Sequence, residues 1–238
     1  MTRSPCAHSR ILPFLLGALL VAGQAWAEPA ATVTNLSGTL ADLKADGTTR
    51  LLSVRSDVEQ GDTLSTQQGS YARLKFRDGS EVVLRPETTF RINNFRFHKD
   101  KPKQDGFFAS LFKGGARFVS GLIGHRGNRD AYGLKTPAAT IGIRGTDWTT
   151  QICQGGTCPG RDDGTYTHTH SGAIHISNAQ GGLDCAAGQA CFSSPGKPPV
   201  YLPKLPSGMD FKPPSSFLDR INGDAVLDMA GHKECVVR

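Results

Sequence analysis

The chain has 238 residues, of which 38% are hydrophobic, and 27 Lys and Arg against 21 Asp and Glu give a formal net charge of +6 at pH 7. The basic residues are scattered, many at alternate positions, whereas nucleic-acid-binding proteins cluster them in a patch or stripe. We therefore expect no nucleic acid among the partners of this protein.

Residues 1–27 have the pattern of a cleavable secretory signal peptide. An apolar run from Ile11 to Ala22 follows two arginines, and Ala25–Ala27 offers small residues at the positions that signal peptidase requires. The apolar run is shorter than the roughly 20 residues that a permanent membrane anchor needs. We predict cleavage before Glu28, a periplasmic or secreted location, and no membrane span after cleavage.

An alternation of apolar and polar residues dominates the chain from about residue 33 to residue 192. In Tyr71–Arg77 every second residue is apolar and those between are mostly basic, which is typical of a half-buried strand. Asp78-Gly79 predicts a tight hairpin turn into a partner strand that ends at Pro86. Further strands are predicted at 89–97, 116–119, 140–143, 146–152, 166–170, 173–177 and 190–193.

Two stretches depart from this alternation. The aromatic residues between 100 and 112 have the spacing of a short amphipathic helix or of a loop anchored by aromatic side chains. Prolines are frequent from 194 to 214, which indicates an extended strap. Ser215 or Ser216 could cap a last short helix that ends near Met229.

Many short strands joined by glycine-rich turns, without a long helical pattern, predict an all-β fold. We expect a sandwich or a β-solenoid-like arrangement with a short C-terminal helix. The predicted organisation is a signal peptide at 1–27, a β domain at 28–193, a proline-rich strap at 194–214 and a C-terminal tail with the short helix at 215–238.

The cysteines that follow the signal predict disulfide bonds, because an exported protein meets an oxidising compartment. Cys153 and Cys158 bracket one short loop, and Cys185 and Cys191 bracket another. Both pairs look like short-loop bridges, but cross-pairing between the two loops would close equally acceptable rings. Cys235 would then be the remaining free thiol.

Residues 134–148, Leu-Lys-Thr-Pro-Ala-Ala-Thr-Ile-Gly-Ile-Arg-Gly-Thr-Asp-Trp, resemble the signature of the FecR-type periplasmic domain family, whose core here is Thr136–Trp148. Supporting segments, which extend the resemblance over most of residues 33–193, are Gly61–Thr66, Phe76–Ser80, Gly114–Gly124, Ser171–Ile174 and Ala187–Gln189. The resemblance implies an all-β domain that recognises other proteins, best known from regulators that pass a signal from an outer-membrane transporter to a sigma factor. Those regulators carry a cytoplasmic segment and a transmembrane helix ahead of the domain. Because a signal peptide precedes the domain here, we expect a stand-alone exported member without a transmembrane or anti-sigma segment.

The signature also has a physical interpretation. Pro137 favours extended backbone geometry at the residue before it, so the backbone has little conformational freedom where the strand begins. Gly142 allows a neighbouring strand to approach closely, and Gly145 supplies a bulge or a positive φ. Arg144 could form a structural ion pair or donate to backbone carbonyls, which we favour, or it could contact a ligand directly. The signature positions carried over from the family are Thr136, Pro137, Ala139, Thr140, Gly142, Arg144, Gly145 and Thr146.

Three histidines are candidate metal ligands. His168 and His170 lie two apart on a predicted strand, with His175 beyond a predicted turn, and three imidazoles could bind a metal ion. The alternative is an exposed strand face on which threonines and histidines alternate.

The sequence contains no nucleophile elbow, zinc-protease helix, phosphate-binding loop or paired-carboxylate arrangement. We therefore expect neither an enzyme nor a cofactor. The favoured function is an accessory module that binds an envelope protein through a sheet edge or an exposed loop. The alternative is a metal-binding or hydrolytic envelope protein that uses His168, His170 and His175.

Overall fold

The structure is a computed structural model that describes residues 28–126, 130–209, 211 and 213–217. The predicted signal peptide, Cys235 and the tail beyond Phe217 lie outside the described residues. Where the C-terminal helix is predicted to begin, the described chain forms a 3-10 turn at Ser215–Phe217.

Strands make up most of the described chain, and the all-β prediction is confirmed. Within the described residues one short α-helix, α1, spans Leu122–His125, and a 3-10 turn lies at Pro102–Gln104. The strands are β1 (Ala31–Ser37), β2 (Leu40–Leu43), β3 (Thr49–Leu52), β4 (Asp57–Val58), β5 (Thr63–Thr66), β6 (Tyr71–Phe76), β7 (Glu81–Leu84), β8 (Thr89–Arg96), β9 (Gly106–Lys113), β10 (Gly115–Val119), β11 (Tyr132–Lys135), β12 (Thr140–Cys153), β13 (Gly164–Asn178), β14 (Gly181–Ala186), β15 (Ala190–Ser193) and β16 (Val200–Leu202).

The strands form one curled sheet, a half-barrel. Its main path runs β3-β2-β5-β8-β9-β11-β12-β10-β7-β6-β1-β4, and β13 adds to β12 and carries β14 and β15, with β16 beyond β15. The two ends of the path, β3 and β4, follow each other in the chain. They are bridged by a side chain, because Arg50 Nη2 donates to the Asp57 carbonyl oxygen at 2.7 Å.

The alternation in the sequence explains how β6 sits in the sheet. Ala72, Leu74 and Phe76 are at most 2% exposed, whereas Lys75 faces solvent. Gly79 closes the predicted hairpin with φ +85°, a left-handed conformation that glycine adopts without strain. The turn therefore fixes the register of β6 with β7.

We call β3-β2-β5-β8-β9-β11 the first half of the sheet and β10-β7-β6-β1-β4 the second half. The two longest strands, β12 and β13, are antiparallel partners, and β12 connects the two halves. The first part of β12 also pairs with β11, and the second part pairs with β10. Their mutual register shifts at 144–147, next to Gly145 at φ +61° and Gly172 at φ +75°. At each of these places two separate strands are predicted from the sequence, and the structure joins each pair through a bulge.

The inward side chains of both halves share one core. Its centre is a chain of aromatic rings in which Phe118 stacks on Trp148 at 4.8 Å and Phe107 contacts Tyr132 at 4.3 Å between ring centroids. Phe76 extends the chain, 4.6 Å from Phe107. Burial of each of these side chains contributes about 2–3 kcal/mol, so this cluster holds the curled sheet closed.

Residues 106–112 correct the sequence prediction, because they form part of strand β9 and not a helix or a loop. Phe107 and Leu111 have a helical spacing, but with Ala109 between them they also share one face of a strand, and all three are buried. β8 and β11 pair with β9 on its two sides. Those ladders satisfy the backbone groups of the segment, so tertiary pairing outweighs its helical pattern.

The proline-rich strap crosses the outward face of the second half of the sheet. Met209 is buried against Tyr166, and its carbonyl oxygen accepts a hydrogen bond from Arg85 Nη1 at 3.3 Å. Phe217, together with Phe211, packs on Val83 of β7. The strap therefore covers outward side chains of β7 and β13.

Candidate functional site

The first half of the signature forms a turn that leads into β12. Thr136 Oγ1 accepts a hydrogen bond from the Ala139 N–H at 3.0 Å and contacts the Ala139 carbonyl oxygen at 2.9 Å. The same hydroxyl lies 2.8 Å from Thr165 Oγ1 on β13. Thr136 is buried, and its hydrogen-bonding capacity is used within the protein.

A cavity of about 280 Å³ opens beside this turn. Residues 136–140 line it, together with residues 177–180, Pro195 and Gly196. None of these side chains carries a charge, and the Asn178 amide nitrogen already donates to the Lys197 carbonyl oxygen at 2.7 Å. The cavity therefore presents neutral groups and lacks the charged ligands that a metal ion prefers.

The second half of the signature bends β12 at Gly145. A Cβ atom added to this glycine would lie 2.6 Å from the His125 ring of α1, and one added to Gly172 would lie 2.2 Å from the Gly145 carbonyl oxygen. Both positions also have left-handed φ angles that other residues rarely adopt. The bend therefore depends on glycine in both strands.

Ser120 and Thr146 lock this bend to the loop that holds α1. The Ser120 N–H donates to the Thr146 carbonyl oxygen at 3.0 Å, and the Thr146 N–H donates to Ser120 Oγ at 2.8 Å. Thr146 Oγ1 in turn donates to the Ala173 carbonyl oxygen of β13 at 2.7 Å. Three segments distant in sequence are thus fixed by buried polar groups.

Asp78, in the β6–β7 hairpin turn, holds the other side of α1. Its carboxylate accepts hydrogen bonds from Ser80 Oγ at 2.7 Å and from the Ile123 N–H at 3.3 Å. Ser80 Oγ also accepts from the Gly121 N–H at 2.8 Å. Burial raises the pKa of Asp78 above its ordinary value of 3.8, against the opposing effect of these hydrogen bonds.

Arg144 differs from the other signature residues, because its side chain faces solvent. Its guanidinium forms no ion pair and no hydrogen bond with any described residue. The favoured structural role is therefore not realised within the described chain. Arg144 is available for contact with another molecule.

The structure does not bring the three histidines together. The rings of His168 and His170 lie 4.7 Å apart, but His175 contacts Asp184, with Nδ1 2.7 Å from Oδ1. Seven residues of extended strand separate His175 from His168, which is roughly 23 Å. Among the described residues no cluster of three metal-ligating side chains occurs, so these histidines do not form the proposed metal site.

The threonines that alternate with the histidines are buried, although the sequence alternation predicted an exposed strand face here. Thr165, Thr167 and Thr169 are each 0% exposed. Thr169 Oγ1 donates to the Cys185 carbonyl oxygen at 3.0 Å, and Thr167 Oγ1 donates to that of Cys191 at 3.4 Å. Such internal partners allow a polar row to face inwards.

Two disulfide bonds close the short loops on β12–β13 and β14–β15. Cys153 is joined to Cys158, with an S–S distance of 2.09 Å, and Cys185 is joined to Cys191 at 2.12 Å. The structure therefore has the short-loop pairing and not the cross-pairing. Disulfides persist in oxidising compartments such as the periplasm.

An apolar surface lies at the edge of the sheet formed by β3. Leu51 is 74% exposed, Leu43 on the neighbouring β2 is 46% exposed, and Val54 is 47% exposed. Among the described strands β3 pairs only with β2, which leaves its other backbone edge without a strand. We call β3 with these three side chains the β3 edge.

Two of these features were missed at the level of the sequence. Ser120 lies in one of the supporting family segments, but its contact with Thr146 joins residues far apart in the chain. The β3 edge had a local signal, because Leu51 and Leu52 are adjacent apolar residues and a strand can bury only one of them on a single face.

None of the helices in the described ranges is long and apolar enough to cross a membrane.

Comparison with known proteins gives a family match and distant structural similarities. The family model described as FecR protein matches residues 62–174, and no curated protein matches the chain. Two crystal structures, each of a candidate anti-sigma factor from Parabacteroides distasonis ATCC 8503, are 14% identical to the chain with a TM-score of 0.45. The similarity covers 60% of this chain and 59% of each of those chains. A third structure, described as a cell surface anchoring domain, is 22% identical, has a TM-score of 0.26, and is matched over 26% of this chain and 82% of its own.

Proposed function

The chain belongs to the FecR family through residues 62–174, and on that basis we propose that it is a non-catalytic, exported module that binds a protein of the cell envelope. The signature and the supporting family segments favour a non-catalytic role. Four polar side chains form hydrogen bonds within the protein, those of Thr136, Ser120, Thr146 and Asp78. None of them is therefore free to act on a substrate.

Two features support export to the periplasm or beyond. The N-terminal sequence has the pattern of a cleavable signal, and the protein carries two disulfide bonds. Disulfides are rare in cytosolic proteins because the thiol pool there is reducing. Mass spectrometry of the protein from a periplasmic fraction is expected to give a chain that begins at Glu28 with both bridges intact.

The observation that supports protein binding most directly is the exposed β3 edge. A strand edge presents unpaired N–H and C=O groups, and natural proteins protect such edges with charges, prolines or bulges unless another chain uses them. β3 carries one such charge, Arg50, which pairs with Asp42 at 2.9 Å and donates to the Asp57 carbonyl oxygen. The β3 edge nevertheless exposes apolar side chains, including Leu51 at 74% exposure. An extended segment of a partner could add to β3 by backbone hydrogen bonds while its apolar side chains cover those of the β3 edge.

Two of the other sheet edges, β4 and β16, are less suited to this role. β4 has only two residues, and β16 lies between Pro199 and Pro203, whose missing N–H groups limit strand addition. Val200 on β16 is nevertheless exposed to a degree similar to Leu43, at 47% against 46%. Val200 therefore serves as a matched control, because it is an exposed apolar side chain on a strand whose edge is blocked by prolines.

Site-specific photo-crosslinking in intact cells tests the proposal. A photoreactive residue in place of Leu51 is expected to give one discrete adduct with an envelope protein, and the same residue in place of Val200 is expected to give none. Leu43→Asp should abolish the adduct, because a buried carboxylate without a partner disfavours the interface.

Two results would refute the β3 edge as the binding site. One is the absence of any discrete adduct from Leu51 when the protein is present at its normal level. The other is an adduct of equal yield from Leu51 and Val200, which would indicate non-specific encounter.

A further inference from the structure

The outward side of β8, β9 and β11 carries basic side chains and no acid. β8, β9, β11 and β13 contain no Asp or Glu at all. The acid of β12, Asp147, is paired with Arg117 at 2.6 Å. The nearest exposed acid on this side of the sheet is Asp184 of β14, two strands from β12, which contacts His175. The cations of β8, β9 and β11 therefore have no counter-charge on their own strands.

Three cations are exposed on the outward side of β8, β11 and β12. Arg91 on β8 lies opposite Ser110 on β9, and Ser110 lies beside Lys135 on β11. Arg144 follows on β12, four residues beyond Thr140, which is the partner of Lys135. None of the three cations has an ion pair or a side-chain hydrogen bond among the described residues.

An exposed aromatic ring on β9 lies in the row between those of Lys135 and Arg144. Phe108 is 37% exposed, and its register partner on β11 is Gly133, where an added Cβ would lie 3.1 Å from the ring. The ring therefore leans over the glycine and keeps one side open to solvent. We call Arg91, Phe108, Lys135 and Arg144 the basic face.

Lys135, Phe108 and Arg144 lie on three strands, β11, β9 and β12, and their rows along the strand direction have the spacing of an extended polypeptide. Along the strand direction Phe108 lies one row, two residues, from Lys135 and one row from Arg144 on the opposite side. Rows on one side of a sheet are roughly 6.6 Å apart, which is also the spacing of residues i, i+2 and i+4 on one side of an extended chain. A segment with an acid, an apolar residue and an acid at these positions would meet a cation, the ring and a cation.

We propose that the basic face binds an extended acidic segment of a partner protein with this alternation of acidic and apolar side chains. The inference rests on the proposed protein-binding function and adds the chemical character of the partner. Aromatic and arginine side chains are favoured at the centre of protein interfaces, and complementary charge accelerates association. β8 is the third strand from β3 in the sheet, so one partner can reach both the β3 edge and the basic face.

Titration of the isotope-labelled protein with a synthetic peptide that repeats Glu-Thr-Phe-Thr, followed by NMR, tests this. We expect shift changes centred on Lys135, Phe108 and Arg144, and weaker binding at high salt because the charges are exposed. The variant Lys135→Ser/Arg144→Ser should weaken binding by about fivefold to tenfold. Lys75→Ser is the matched control, because Lys75 is an exposed cation on β6 in the other half of the sheet, and it should bind as the wild type does.

Other outcomes would overturn the inference. A peptide that repeats Lys-Thr-Phe-Thr should not bind, and equal binding of it would remove charge as the cause. Stronger, Phe108-dependent binding of polygalacturonate or of phosphatidylglycerol vesicles would assign the face to a polysaccharide or a lipid surface. Absence of peptide binding, or binding at β3 alone, would refute the basic face as a binding site for acidic segments. The proposed function would still be decided separately by the crosslink at Leu51.

Discussion

Alanine substitution of three glycines near the bend of β12 and β13 should give a defined order of stability. Gly142 has no left-handed φ and nothing within 4 Å of an added Cβ, so the close approach of a neighbouring strand expected at this glycine does not occur. Gly142→Ala is therefore expected to stabilise the protein by about 0.5 kcal/mol, because alanine restricts the unfolded chain more than glycine does.

The other two glycines of this series have left-handed backbones, with φ +61° at Gly145 and +75° at Gly172. That conformation costs an alanine about 1–2 kcal/mol. At Gly145 the added Cβ meets the exposed His125 ring, which can rotate away, so we expect a total of about 1–2 kcal/mol. At Gly172 it meets the Gly145 carbonyl oxygen at 2.2 Å, and because backbone must move we expect about 3 kcal/mol.

Urea denaturation of the disulfide-bonded mature protein measures these differences. Comparison of Gly145→Ala with Gly145→Ala/His125→Ala separates the cost of the left-handed backbone from the cost of the contact with the His125 ring. Removal of the ring should restore little of the lost stability. The reasoning would be wrong if Gly142→Ala destabilised the protein as much as Gly145→Ala, or if Gly172→Ala were the mildest of the three.

Three further predictions concern stability. Ser120→Ala leaves the buried Thr146 N–H without its acceptor and should cost about 1–3 kcal/mol in chemical denaturation, whereas Ser120→Thr should retain most of the stability. Asp78 has a raised pKa in the folded protein, so its contribution to stability is present below the unfolded pKa and is lost as the pH rises through the folded value. The stability of the wild type relative to Asp78→Asn should therefore fall over that window and be constant above it, and a rise with pH would contradict the pKa shift. Replacement of Cys153 and Cys158 by Ser should lower the free energy of unfolding by about 2 kcal/mol, since the bridge closes a short loop, and an unchanged midpoint under oxidising conditions would show that the bridge is absent.

Local patterns predicted most of the strands because each of those strands buries one face. In β6 the alternation of Ala72, Leu74 and Phe76 with basic residues determines which side of the strand is buried, and Asp78-Gly79 determines where the hairpin turns. The cysteine spacing likewise indicated the short-loop pairs, but it could not distinguish short-loop pairing from cross-pairing between the two loops. Connectivity depends on the position of β13 between β12 and both β14 and β15, which is a property of the whole sheet.

The candidate site could be predicted only in part, because its contacts join distant segments. The signature glycines indicated a bend, yet nothing local to Gly145 predicts that it packs on His125 or that Gly172 faces it. The segment 106–113 has a composition compatible with a helix, and only pairing with β8 and β11 makes it a strand. The roles of Phe108 and Arg144 likewise depend on the register across three strands.

Threonine burial shows a further limit of reasoning from composition. The row of Thr165, Thr167 and Thr169 is polar, and a polar row normally faces solvent. Here carbonyl oxygens of the disulfide-closed β14–β15 segment accept hydrogen bonds from Thr167 and Thr169, so the row is buried and the histidines face outwards. The identity of those acceptors is visible only in the folded chain.

Addition of a partner's strand to the β3 edge should be visible in the hydrogen–deuterium exchange of β3. In the free protein the outward N–H groups of Thr49–Leu52 should exchange rapidly, because no strand pairs with that edge. After addition of the purified protein identified by crosslinking at Leu51, the account predicts slow exchange in β3 with no change in β16. Unchanged exchange in β3 in a complex shown to be saturated would contradict it.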